Sequence, residues 1–154
     1  EEQLSQLLTG WAANEASAPA AIFFATAGGH HAWHAQVVRG CLPTSPRLIE
    51  HDVVVAPAIG WTRTITTLGT LTDAGATLPR LKALVKVIDP WLDREIGALV
   101  DLARPISDAA MMRWLRFVTI DHHDDGQAAA LLTASTASNT THVDDHRLIA
   151  GLEL

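Results

Sequence analysis

Tyrosine is absent from this chain, cysteine occurs once, and only two of its eleven basic residues are lysines. A single Cys41 excludes an intramolecular disulfide. Between Gly40 and Leu42, at an expected helix end, it reads as an ordinary half-buried thiol rather than a reactive one. Seventeen acidic residues outnumber the basic ones, the net charge is −6, and no basic run exists. That balance argues against a nucleic-acid partner, whose phosphates need clustered cations. No unbroken apolar stretch reaches the roughly 18 residues that would cross a bilayer, so no membrane partner is expected. The opening Glu-Glu-Gln carries neither the basic region nor the apolar run of a secretory signal, which makes a cytoplasmic protein the expectation. Glycine-rich phosphate loops and nucleophile elbows are also missing.

The chain has 154 residues, 48% of them hydrophobic and 18% charged. It is long enough to enclose one core, and disorder is not expected. Proline and glycine punctuate it at three corners. In Gly40-Cys41-Leu42-Pro43-Thr44-Ser45-Pro46, Ser45 reads as an N-cap with proline at the first helical position. Thr77 is the expected cap after Asp73-Ala74-Gly75-Ala76. In Ala103-Arg104-Pro105-Ile106-Ser107-Asp108, Pro105 or Ser107 starts the next helix and Asp108 favours its positive end.

Between corners the apolar period is helical. Leu81, Val85, Ile88, Leu92, Ile96 and Leu99 advance by three or four residues each time. Met111, Leu115, Val118, His122, Asp125, Ala129 and Leu132 do the same. The first segment offers Phe24, Ala27, His31, His34 and Val38, or the adjacent register Phe23, Ala27, His30, His34 and Val37. Segment 47–72 is less regular: Val53-Val54-Val55 is β-branched and 61–67 holds four threonines. Its length and lack of an internal turn favour helix, with a kink at Pro57. The expected helices are therefore 3–40, 47–73, 79–102 and 107–136. Joined by short links, they make an all-α, antiparallel up-down-up-down four-helix bundle in a single domain. Pro19 is expected to kink or split the first helix, and Asp89-Pro90 to divide the third. Residues 138–154 form a polar, less ordered tail, where His142 and His146 read as solvated.

Two polar clusters interrupt the apolar pattern: His30-His31-Ala32-Trp33-His34 and Asp121-His122-His123-Asp124-Asp125. They hold five of the eight histidines. Helical spacing turns part of each cluster inward, and buried imidazole or carboxylate needs a partner or a metal. His31-x-x-His34, or His30-x-x-x-His34, sets two imidazoles on one face, and His122-x-x-Asp125 sets an imidazole beside a carboxylate. Facing one another, His31, His34, His122 and Asp125 would form a three-His-one-carboxylate set suited to Fe, Mn or Zn. Helix levels oppose this. If the first and last helices run antiparallel from a shared end, His34 lies about six residues from it and His122 about fifteen, an offset of roughly 13 Å.

The stretch Gly-His-His-Ala-Trp-His followed by Leu-Pro-Thr-Ser-Pro resembles bacterial ferritin-like four-helix proteins. So does Pro-Ile-Ser-Asp-Ala-Ala-Met-Met-Arg-Trp-Leu-Arg-Phe-Val-Thr-Ile-Asp-His-His-Asp-Asp-Gly, and the likeness covers about residues 15–135. Di-metal members carry a Glu on each of two helices and Glu-x-x-His on each of the other two. This chain has no Glu-x-x-His; Glu50 and Asp52 fall near a helix start and Glu95 is expected to face outward. The nearest remnants are His31/His34 and His122/Asp125. The resemblance thus implies a divergent member with an altered or lost site, not a di-iron oxidase, oxygenase or iron store.

Two principal functional readings remain open at this level. One is a ferritin-like bundle holding a transition metal (Fe, Mn or Zn). The other is a metal-free bundle whose His and Asp side chains satisfy one another, acting as a dimeric structural or binding module. A weaker third is a small-molecule pocket using His and Asp as acid–base partners. A homodimer is expected because mean hydropathy is +0.16 and Arg63 is the only charged residue between Val53 and Leu71.

Overall fold

The computed structural model describes residues 1–42, 45–47 and 58–139. These are helical, with no strand among them. Helix α1 spans Glu2–Ala13, α2 Ala18–Arg39 and α3 Ile59–Gly69. Then come α4 (Thr77–Ala83), a single π turn (Leu84–Ile88) and α5 (Asp89–Leu102), which run on as one rod. Helix α6 is Ala109–Asn139. The expected start of a helix at Ser45-Pro46 leads into residues outside the described set, as do the kink at Pro57 and the tail beyond 139. Within that set, the Ser45 hydroxyl accepts from the Arg47 N–H at 3.3 Å.

The principal departure from the sequence reading is the first helix. Expected over 3–40 with a kink or split at Pro19, it does split, at 14–17, and then folds fully back on itself. Pro19 occupies the first turn of α2, where its missing N–H has no intrahelical role. Antiparallel packing follows along the whole pair: Trp11 meets the edge of Phe24 at 5.4 Å, and Arg39 pairs with Glu2 at 3.1 Å. Gly28 permits the close approach, since a Cβ there would lie 3.0 Å from the Thr9 hydroxyl and 3.4 Å from the Ser5 carbonyl.

Glu15 pins the reversal. Its carboxylate accepts from the Ser17 N–H at 3.0 Å, the Thr77 hydroxyl at 2.5 Å and the Arg80 guanidinium at 2.8 Å. Both side chains of the Glu15–Arg80 pair are fully buried. Arg80 also donates twice to the Leu71 carbonyl, at 3.0 and 2.7 Å, and stacks over Trp11. The Thr77 hydroxyl is thereby spent on Glu15 rather than on a helix cap, and the residue is the first of α4, not its N-cap.

Segment 59–69 is helix despite its threonines. Trp61, Thr64 and Leu68 form its buried face. On the exposed side, the hydroxyls of Thr62 and Thr66 accept helical geometry by donating four residues back to Ala58 and Thr62. Trp61 stacks on Trp91 at 4.3 Å and donates to Gln3 at 2.8 Å, tying α3 to α5 and α1.

Asp89-Pro90 does not divide the rod, because proline in the first turn of α5 gives up an N–H that the widened π turn leaves free. The large apolar cluster joins Leu4, Leu8, Phe24, Leu68, Leu81 and Ile88, with Ala129 of α6. A smaller one joins Ile96, Leu115 and Val118, flanked by Val37 and Met111. Between the two lies the histidine layer.

Asp89 rests against Gly126 of α6, its carboxylate 3.3 Å from where a Cβ would stand. Burial, then the charges of Asp93 and Asp125, push its carboxyl up to about 7. A raised carboxyl binds its proton more tightly in the folded than in the unfolded chain. Its contribution to stability therefore falls as pH rises from about 4 to 7, at up to roughly 1.4 kcal/mol per pH unit. Asp89→Asn is expected to remove this component, which urea denaturation of the two proteins at pH 5 and pH 8 will reveal as a smaller pH difference in the variant.

Candidate metal centre

Three imidazoles and one carboxylate converge where α1, α2 and α6 meet. His31 and His34 are one turn apart on α2, and His122 faces them from α6; their exposures are 5%, 0% and 7%. Ring centroids are 5.6 Å apart for His31–His34, 5.1 Å for His31–His122 and 4.9 Å for His34–His122. The carboxylate is Glu1, carried in by the fold-back of α1. Its oxygens lie 2.5 Å from His31 Nδ1, 3.6 Å from His34 Nδ1 and 3.3 Å from His122 Nε2. One ligand-type atom from each of the four residues falls within 4.8 Å of all the others.

The far nitrogen of His34 is held from behind. Its Nε2 is 3.0 Å from the Asp121 carboxylate, so the Nε2–H donates there and the Nδ1 lone pair turns toward Glu1. A carboxylate behind an imidazole fixes both tautomer and ring orientation, the usual second layer of a metal site. His122 has no such support: neither ring nitrogen has a hydrogen-bond partner, and His34 Nδ1 also lacks one.

Charge is balanced within the layer. Burial alone would raise Glu1, but the facing imidazoles of His122, His31 and His34 hold it well below the usual carboxylate range. For His34, burial is outweighed by the nearby carboxylates of Glu1 and Asp121, and the imidazole is raised. In His31 burial prevails over Glu1, with His122 and His34 adding repulsion, and the imidazole is lowered. The layer thus accommodates one negative charge readily and extra protons unequally.

The structure therefore brings His31, His34 and His122 together, and places Asp125 elsewhere. Asp125 accepts from His30 Nδ1 at 2.9 and 3.1 Å, so the inward carboxylate of the cluster is Glu1. The separation of levels expected from the sequence also fails. Helices α2 and α6 are antiparallel, as the His30–Asp125, His34–Asp121 and Trp33–Trp114 contacts show. They do not start level, however: His34 lies five residues from the end of α2 yet faces Asp121, twelve residues into α6, so the turn from α5 into α6 reaches beyond the end of α2. This overshoot sets His122 opposite His31 and His34. Glu1 had a signal in the sequence, since positions 1, 4, 8 and 11 continue the buried stripe Leu4, Leu8, Trp11. Reading 3–40 as one helix hid its target.

Chemically, three nitrogens and one oxygen suit Zn, Fe or Mn rather than Ca or Mg, which prefer oxygen donors. Four protein donors fill a tetrahedral shell, the pattern of a closed site. No protein-family model, curated protein or solved structure matches the chain. Nothing thus identifies membership of the ferritin-like superfamily, and the case for a function rests on the site.

In metal-free protein, Glu1 is the shared acceptor of the layer. Its depressed titration contributes stability that is present above about pH 4.5, the ordinary carboxyl value, and that is lost as pH falls. Glu1→Gln is expected to destabilise the metal-free protein by about 1–3 kcal/mol at pH 7. The difference from the parent should shrink below pH 4.5, as measured by chemical denaturation in the presence of a chelator.

Proposed function

We propose that the protein binds one transition-metal ion through Glu1, His31, His34 and His122, within an antiparallel helical bundle. The observation that carries this reading is the pair of unpartnered buried nitrogens, His34 Nδ1 and His122 Nε2, both turned toward the Glu1 carboxylate. Leaving a buried polar atom unsatisfied costs roughly 1–3 kcal/mol, and a metal ion would use both lone pairs at once. A metal-free layer in which imidazole and carboxylate satisfy each other leaves His122 unsatisfied at both nitrogens. The metal-bound reading accounts for these nitrogens, and that supports it.

Three neutral imidazoles and one carboxylate leave a divalent ion with a single net positive charge, and Asp121 behind His34 offsets part of the remainder. Imidazole is the donor common to Zn, Fe and Mn sites, so the donor set selects this class without choosing among its members. The chain's residues do three things here: Glu1, His31 and His122 present donors, Asp121 holds His34 in its tautomer, and the flanking apolar clusters exclude water. The groove between α5 and α6 is lined by none of these histidines, so it lends nothing to the acid–base pocket reading.

Elemental analysis of purified protein and calorimetric titration of chelated protein with Zn²⁺, Mn²⁺ and Fe²⁺ test the proposal. One ion per chain is expected, with binding abolished in His122→Ala. Asp121→Asn should weaken affinity about 10–100-fold by freeing the His34 ring. Absence of saturable binding for all three ions would overturn the assignment.

A further inference from the structure

The rod and α6 form a hairpin whose far end is poorly covered. Beyond the histidine layer its own core is only Ile96, Leu115 and Val118, yet large apolar side chains continue outward. Leu99, Leu102, Ile106, Phe117 and Ile120 are all exposed, Leu102 at 80% and Ile106 at 95%. Most of the large exposed apolar residues among those described lie in this one hairpin. Between its two helices runs a groove of about 810 Å³ with Ile96, Val100, Leu115 and Ile120 in its walls. Gly97 also lines it, and a Cβ there would meet nothing within 4 Å.

The polar rim of the groove is divided by sign. Asp93 and Asp101 stand on the α5 side and Arg116 on the α6 side, and no ion pair joins them among the described residues. A surface whose one edge is acidic and whose other edge is basic is complementary to itself after a two-fold rotation. The rotation lays α5 of one copy along α6 of the other, and acids then meet arginines at both edges. Two helices cannot enclose a core, whereas four can, and the same rotation would bury Val100 and Ile120, the exposed apolar residues of the groove walls, from both copies.

We propose that this hairpin face is the interface of a two-fold homodimer in which Asp93 and Asp101 of each copy face Arg116 of the other. The proposal is independent of the metal centre, whose residues lie on the far side of the small cluster. Its two halves make it specific: the apolar groove supplies the buried surface, and the charges set the antiparallel register.

Light scattering and sedimentation at micromolar concentration should give twice the chain mass. Gly97→Arg fills the groove and Ile120→Glu charges its wall. Neither position is buried, so both variants should keep the parent's circular dichroism and sediment as monomers. Arg116→Glu and Asp101→Arg should each raise the dissociation constant about tenfold or more. A mixture of these two should give a mixed dimer tighter than either variant's own, because both acids of the Arg116→Glu chain then face Arg116 and the introduced arginine faces the introduced glutamate. A monomeric parent would leave the groove to some other occupant and overturn the proposal. So would a dimer insensitive to Gly97→Arg and Ile120→Glu, or failure of the two charge variants to rescue one another.

Discussion

Everything at the histidine layer depends on a buried ion pair two helical layers away. Glu15 ends the first helix, and Arg80 opens the rod; with both fully out of solvent, each is the other's counter-ion. Such a pair seldom adds much net stability over apolar packing, but removing one partner strands a charge at a cost of about 3–5 kcal/mol. Its effect is to fix where the chain reverses. Thr77 and the Ser17 N–H converge on the same carboxylate, so the turn 14–17 has one favourable arrangement. With the turn fixed, α1 must return along α2 for its whole length, and Glu1 arrives over His31 and His34.

The consequence is a polar layer built by elements that are remote in sequence but locked in register. Glu1 is brought by the fold-back and Gly28, His31 and His34 by the α2 stripe, and His122 by the overshoot of the α5–α6 turn. Apolar clusters close the layer above and below, which lowers the local dielectric and makes each unpaired nitrogen expensive. The same seclusion strengthens the grip of Asp121 on the His34 ring. Three imidazoles share Glu1 in this layer, and their grouping could hold a cation at its centre.

Much of this could be read from periodicity. In the last helix the stripe Leu115, Val118, His122, Ala129 is buried as expected, and His122 was marked by continuing an apolar row. In α2, Phe24, Ala27, His31 and His34 are buried together for the same reason. The helical reading of 61–67 also holds, because threonine hydroxyls can bond backward along a helix. What escaped was long-range. Pro19 announced a break, but Asn14 to Ser17 contains no glycine and nothing local announced a full reversal; it is imposed by Arg80, some sixty residues on. Yet Glu1 and Arg80 both sit on apolar stripes, as His122 does. A charged residue in register with buried neighbours carried the same signal in all three places, but only the histidines were read that way.

The misjudged helix levels have a related cause. Corner positions fix where helices end, but not whether two helices from different hairpins end together. Here His34, near the end of α2, faces Asp121, well inside α6, and Val37 packs against the small cluster of Ile96, Leu115 and Val118. The rod and α6 therefore continue past α2, and that continuation does two jobs. It slides α6 so that His122 faces His31, and it leaves a two-helix projection with Leu102 and Ile106 in solvent. A level arrangement would cover the projection and pull the histidines apart. The exposed hairpin is thus the geometrical counterpart of the assembled histidine layer: the displacement that closes one face of the molecule opens the other.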